Sequence, residues 1–79
     1  MPDELQPGVI TSVVQNTVYA LPPVVVSVFA NTTVEVGITT GTTGWSTLTG
    51  ANTVGAETSA PFIRCTVSGT NSIVVKRTA

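Results

Sequence analysis

The side chains that could perform chemistry are few in this chain. There is no histidine and a single cysteine, Cys65, and the carboxylates are Asp3, Glu4, Glu35 and Glu57. Without histidine, the Ser-His-Asp and Cys-His arrangements of nucleophilic catalysis cannot be built. Glu35 and Glu57 could in principle form the carboxylate pair of a glycosidase, but they are the only acids in the middle of the chain. We therefore expect a non-enzymatic protein without catalytic residues, and we interpret Cys65 as a core residue.

Cofactor, metal and nucleic-acid sites are not predicted either. The glycines of the segments TTGTTG and LTGANTVG lack the lysine and the following helix of a phosphate-binding loop. One thiol and a few scattered carboxylates do not form a metal-ligand cluster. The cations are Arg64, Lys76 and Arg77, too few to line a groove for phosphates, and the net charge is −1. We expect no cofactor, no metal and no nucleic-acid partner.

Membrane targeting is not predicted from the sequence. The first residues, MPDELQPG, are acidic and lack the apolar core of a signal peptide. The longest mostly apolar run, residues 21–30, contains two prolines and has about half the length of a transmembrane helix. We expect a protein made in the cytoplasm that has no membrane partner.

Trp45 is the residue that most invites a binding hypothesis. It follows the glycine-rich loop of residues 39–44, so its ring could stack on a sugar while nearby Asn and Thr side chains supply hydrogen bonds. A small all-β domain with only four aromatic residues also needs them for burial. We therefore favour a tryptophan in the core or in a subunit interface and keep sugar binding as the alternative.

The elements that position these residues are predicted to be strands. Along residues 21–38, apolar side chains alternate on both sides of Asn31-Thr32-Thr33, a pattern typical of a β-hairpin. A three-residue loop places Ala30 opposite Val34. It also places Phe29 across from Glu35 and diagonal to Gly37, which the ring could cover. The inward residues of this hairpin would be Val24, Val26, Val28, Ala30, Val34, Val36 and Ile38.

A second hairpin is predicted between residues 62–67 and 73–77. Pairing Cys65 with Val75 keeps one face apolar and sets Arg64 opposite Lys76 on the other. Like charges directly opposed are unfavourable. We therefore expect both cations to face water, or alternatively an acidic partner such as Glu35 or Glu57.

The remaining segments complete a small all-β fold. Residues 9–21 indicate one bent strand or two short ones, residues 45–49 another strand, and residues 50–61 a long loop that is functional or mobile. Residues 1–8 indicate an extended arm, either disordered or packed on a neighbouring subunit. We predict an arm (1–8) and a single β domain (9–79), an antiparallel β-sandwich or flattened barrel of about six or seven short strands.

Size and charge predict that the chain does not function alone. The core of a domain of 79 residues usually leaves only about 3–5 kcal/mol of net stability. A single cysteine excludes an intrachain disulfide. Charged residues make up 9% of the chain, against roughly 25% in ordinary domains. We expect association with copies of itself or with a larger assembly.

Several short stretches resemble small all-β virion proteins of tailed bacteriophages, among them capsid decoration (cement) proteins and the sandwich modules of fibres. The resemblance extends over residues 24–77. Its motifs are EVGI (35–38), TGTTGW (40–45), LTG (48–50), APFIR (60–64) and VVKR (74–77).

The resemblance implies a structural protein that is assembled in the host cytoplasm and resides in the virion. It would form a trimer or another symmetric oligomer and stabilise the shell by binding across subunits of the major capsid protein or another virion protein. The alternative is a receptor- or glycan-binding module of a tail fibre or appendage. The candidate partner-binding residues are Asp3, Glu4, Leu5, Phe29, Trp45, Asn52, Glu57, Arg64 and Lys76.

Overall fold

Residues 2–78, which the computed structural model describes, form short strands and no helix. The strands are β1 (Thr11–Val13), β2 (Val18–Ala20), β3 (Val26–Ala30), β4 (Val34–Gly37), β5 (Trp45–Thr47), β6 (Ala56–Thr58), β7 (Phe62–Cys65) and β8 (Asn71–Arg77). Valine, threonine and aromatic residues, which favour extended backbone, account for much of these segments. The predicted all-β class is confirmed, with eight strands instead of six or seven.

The strands form two antiparallel sheets of four. One sheet has the order β2-β7-β4-β5 and the other the order β1-β8-β3-β6. The connection between β4 and β5 stays within one sheet, and each of the other connections between successive strands crosses to the opposite sheet. The fold is a small β-sandwich in which most neighbouring strands are distant in sequence.

The core lies between the two sheets and is almost entirely apolar. Both sheets contribute its fully buried side chains, which are Val26, Val28, Val34, Ile63, Cys65, Ile73 and Val75. The core assignment of Cys65 is thereby confirmed. The buried Asn71 donates a hydrogen bond from Nδ2 to the carbonyl of Val67 at 2.8 Å, so its amide does not remain unpaired.

The predicted central hairpin is wrong, because β3 and β4 belong to different sheets. Ala30 lies opposite Ile73 of β8, and Val34 lies opposite Cys65 of β7. The connecting residues are held against β8, where Asn31 accepts a hydrogen bond from the amide of Ser72 at 3.0 Å. Both strands alternate because both face the shared core. At the far ends of the predicted hairpin, Val24 and Ile38 are exposed, not buried.

The predicted closing hairpin is also wrong. Strand β7 pairs with β2 and β4, whereas β8 lies in the other sheet between β1 and β3. Arg64 therefore lies opposite Glu35 and not opposite Lys76. Within the expected long loop, residues 56–58 form β6 along the edge of β3. Residues 9–21 contain two strands, β1 and β2, joined by a turn in which Asn16 has a φ of 62°.

The N-terminal segment packs on its own domain. Leu5 is 2% exposed and belongs to the core cluster. Its amide donates to the carbonyl of Ala20 at 2.9 Å, and the amide of Ala20 donates to Asp3 at 2.8 Å. Residues 3–5 thus run beside the free edge of β2, with a parallel bridge between Glu4 and Ala20. This differs from both sequence interpretations of the arm; Met1 lies outside the described residues.

Candidate interaction surface

The outer side of the sheet β2-β7-β4-β5 carries two rows of side chains, which we call the A face. The strand register places one row across β2, β7, β4 and β5 as Val18, Arg64, Glu35 and Thr47. The same register places the adjacent row as Ala20, Phe62, Gly37 and Trp45. The A face therefore has an ion pair, Arg64 and Glu35, on its two central strands, with the aromatic residues Phe62 and Trp45 in the adjacent row.

Trp45 is fixed on this face by contacts within the chain. It lies directly across from Gly37, where a Cβ atom would meet the indole at 3.2 Å, so the ring covers the glycine backbone. The indole N–H donates to the carbonyl of Gly41 at 2.9 Å. The guanidinium carbon of Arg64 lies 4.5 Å from the ring centroid. The side chain is half-buried on the outer surface, so a core position is wrong, whereas a position in a subunit interface stays a prediction.

Arg64 and Glu35 form an ion pair across neighbouring strands. The Nε atom of Arg64 donates to Oε1 of Glu35 at 3.0 Å, and their side chains are 19% and 25% exposed. The acidic-partner alternative for Arg64 is thus confirmed, since it meets Glu35 of its own chain. The same guanidinium pairs with a carboxylate and stacks on an indole, which holds this part of the face in one arrangement.

Replacing Arg64 with methionine tests this arrangement, since methionine keeps an unbranched apolar side chain and removes the guanidinium. We expect the free energy of unfolding to fall by about 1 kcal/mol, the combined size of a partly exposed ion pair and a cation–π contact. The fluorescence of the single tryptophan should shift as well. Lys76→Met is the matched control, because Lys76 lies over Phe29 in the other sheet. Equal effects of both variants on Trp45 emission would contradict the stacking.

The outer side of the sheet β1-β8-β3-β6, which we call the B face, carries more serines and fewer aromatic residues than the A face. Its serines are Ser12, Ser27 and Ser72, and its remaining side chains are Phe29, Glu57, Val74 and Lys76. Phe29 lies against Gly55, which has a φ of 91°, and Lys76 Nζ is 5.3 Å from the Phe29 ring. The predicted cover of a glycine by an aromatic ring therefore occurs with different partners: Phe29 covers Gly55, and Trp45 covers Gly37.

The structure brings some of the predicted partner-binding residues together and separates others. Trp45 and Arg64 meet on the A face, and Phe29 and Lys76 meet on the B face. Glu57 is exposed on the B face, two strands from Lys76. The exposed residues away from these clusters are Asp3 and Glu4 in the arm and Asn52 in the turn before β6. Leu5 is buried in the core and offers no surface to a partner.

Six residues of the A face were not among the predicted partner-binding residues: Val18, Ala20, Glu35, Gly37, Thr47 and Phe62. Apart from Glu35, they become recognisable only from strand pairing, which for example places Gly37 between Phe62 and Trp45. The available signal was the opposite charge of Glu35 and Arg64, which favours direct cross-strand pairing. The predicted hairpins placed these residues in the wrong strand pairs.

Other features of residues 2–78 do not form a chemical site. No group of three or more potential metal ligands occurs among them, and none of their segments is a helix long and apolar enough to cross a membrane. A shallow depression of about 270 Å³ is lined by Val24, Val25, Arg77 and Thr78. Its walls have one charged group and no convergent set of polar atoms, so it has little means of orienting a small ligand.

Comparison of the chain with protein-family models, with curated proteins and with solved structures found no match.

Proposed function

We propose that this chain is a non-enzymatic structural protein that acts as a symmetric oligomer on a larger protein assembly. The assembly is the shell of a virion, where the chain serves as a decoration protein that binds across capsid subunits. The resemblance to bacteriophage virion proteins supports the viral setting, with assembly in the host cytoplasm. The surface of the domain supports the oligomer.

The observation that carries the proposal is the balance of apolar and charged groups on the surface. The exposed large apolar side chains are Val9, Ile10, Val14, Val24, Val25, Ile38, Val54 and Val67. Ile38 and Val54 are 82% and 85% exposed. The whole chain has three cations and four anions to keep these groups in solution. So little charge favours association over a dispersed monomer.

The contacts of Trp45 favour this proposal over a glycan-binding module. A sugar-stacking tryptophan presents an open ring face and polar groups directed at the ligand. Here the indole lies on Gly37, its N–H is already donated to Gly41, and the Arg64 guanidinium lies over the ring. A sugar would have to displace Arg64 from the ring, and hence from Glu35 as well.

The proposal predicts a mass in solution above that of the 8.1 kDa chain. We expect sedimentation equilibrium to detect an oligomer at every concentration of a dilution series down to about 1 µM. The dissociation constant of the oligomer should therefore lie below about 1 µM. A stable monomer throughout the series would contradict the proposal. If that monomer bound immobilised oligosaccharides and lost the binding on Trp45→Ala substitution, the glycan-binding module would replace it.

A further inference from the structure

We infer that the A face is a two-fold interface between copies of this chain. The inference rests on the proposed function in one respect only, namely that the chain self-associates. It adds which surface makes the contact and which partner the surface fits.

The composition of the two outer surfaces distinguishes them. The centres of protein interfaces are enriched in Trp, Phe and Arg and depleted of Lys, Glu and Ser. The A face contains two aromatic residues, Trp45 and Phe62, and a half-buried Arg64 that pairs with Glu35. The B face has one aromatic residue, Phe29, beside Val74, and presents three serines together with the exposed Lys76 and Glu57. The A face is therefore the better candidate for the contact.

The sheet edges are less suited to association than the faces. Residues 3–5 occupy the outer edge of β2 by hydrogen bonding to Ala20. The other edge strands, β1, β5 and β6, have three residues each. Short or covered edges limit the growth of a sheet by strand addition. A contact through a broad face avoids this limitation.

The charges of the A face are complementary to a second copy of the same face. Arg64 on β7 and Glu35 on β4 lie side by side on the two central strands of the sheet. A two-fold axis parallel to these strands and midway between them exchanges the two positions. Each Glu35 is then set over Arg64 of the other copy, as the self-complementary contact of a symmetric dimer requires. When two twisted sheets stack face to face, their central strands stay closest to each other. The contact between Glu35 and Arg64 of the other copy is therefore compatible with aligned sheet packing.

The neighbouring row is complementary in size under the same axis. From β2 to β5 it consists of Ala20, Phe62, Gly37 and Trp45. The two-fold axis sets the strand position of Trp45 over Ala20, where a small side chain leaves room. It sets Phe62 over Gly37, where the partner's indole already covers the backbone, so two aromatic rings meet. Large groups thus face small or aromatic ones.

The size of the domain is compatible with such a contact. The accessible surface is 4500 Å², and a contact that covered a whole side of this body of 31 × 23 × 21 Å, including the loops around the A face, would use roughly a sixth of it. This is close to the about 800 Å² per partner of a standard protein interface.

Ala20→Arg tests the surface without altering the ion pair. Ala20 is half-buried on the A face, so a long charged side chain there should weaken self-association at least about 30-fold, as an unpaired charge in an interface does. Ser27→Arg, at a half-buried outward position on the B face between Lys76 and Glu57, is the control and should leave the dissociation constant unchanged. Sedimentation velocity measures association, and circular dichroism verifies folding.

Charge reversal tests the predicted pairing itself. Glu35→Arg and Arg64→Glu should each be largely monomeric, because like charges then meet across the two-fold axis. An equimolar mixture should associate, since each cationic copy meets an anionic one. The double variant Glu35→Arg/Arg64→Glu restores the ion pair within the copy and should restore self-association. It also keeps the prediction testable if a single variant does not fold.

The outcomes separate this inference from the proposed function. A wild-type oligomer that persists in Ala20→Arg, or folded charge variants whose mixture stays monomeric, would overturn the A-face contact and leave the structural role standing. A wild-type chain that is monomeric at all concentrations would overturn both.

Discussion

Leu5→Ala is expected to reduce the free energy of unfolding by about 3 kcal/mol. Leu5 is 2% exposed and packs in the core cluster, so its truncation removes a fully buried side chain. Leucine-to-alanine substitutions at such sites cost about 2–5 kcal/mol. Because a domain of this size has only about 3–5 kcal/mol in total, the variant should keep at most about 2 kcal/mol. Urea denaturation measures the loss when both chains are compared at the same protein concentration, because self-association contributes to the apparent stability in a concentration-dependent way.

Gln6→Ala is the matched control for Leu5→Ala. Gln6 is the next residue and is exposed, and its side chain makes one weak exposed contact, with Glu4 at 3.4 Å. We expect a change within about 0.5 kcal/mol. Similar stability of the two variants would show that the arm does not belong to the core. Neither sequence interpretation of the arm makes residues 1–8 part of the core; with Leu5 buried, their deletion is expected to destabilise the domain itself.

Leu5 also shows what the sequence could not reveal. It is a single apolar residue within the polar segment DELQ, between two prolines, and therefore has no periodic pattern around it. The signal that a core residue usually gives is alternation with its neighbours along a strand. A residue that reaches the core from an isolated bridge gives no such signal. The short strand β6, which has the sequence AET, was missed for the same reason.

Alternation identified core residues within the strands but not beyond their ends. Val26, Val28 and Val34 were predicted to point inward and are fully buried, whereas Val24 and Ile38, predicted with them, are exposed. The pairing of their strands was wrong because a sandwich has two sheets that share one core. A strand with one apolar face fits either sheet equally well, and most connections in this fold cross between the sheets. Local patterns therefore predict burial here better than they predict neighbours.

The A face could be recognised only once the neighbouring strands of each sheet were known. Trp45 and Arg64 were singled out separately, one for its ring and one for its charge. Their contact requires β5, β4 and β7 to be adjacent, which follows from strand order alone. The Glu35–Arg64 pair is one exception, since opposite charges in two strands indicated a possible partnership before the sheet order was known.

Gly55→Ala is expected to have the other large effect, a loss of about 3 kcal/mol. Gly55 has a φ of 91°, a conformation that costs a residue with a Cβ atom about 1–2 kcal/mol. An added Cβ would also overlap the Phe29 ring, with the Cδ2 and Cζ atoms at 2.8 Å. The ring would have to move off Gly55 and away from Lys76, at a cost typical of overpacking, about 1–3 kcal/mol. Urea denaturation measures the sum.

Gly69→Ala separates the two causes of that loss. Gly69 also has a positive φ, 107°, but an added Cβ would meet no atom within 4 Å. It should therefore show the backbone cost alone, about 1–2 kcal/mol. In a Phe29→Ala background the clash at Gly55 is relieved, so Gly55→Ala should then cost no more than Gly69→Ala. If Gly55→Ala remained the costlier substitution in that background, the ring would not be what requires glycine at this position, and the loss would have to come from the backbone of the turn before β6.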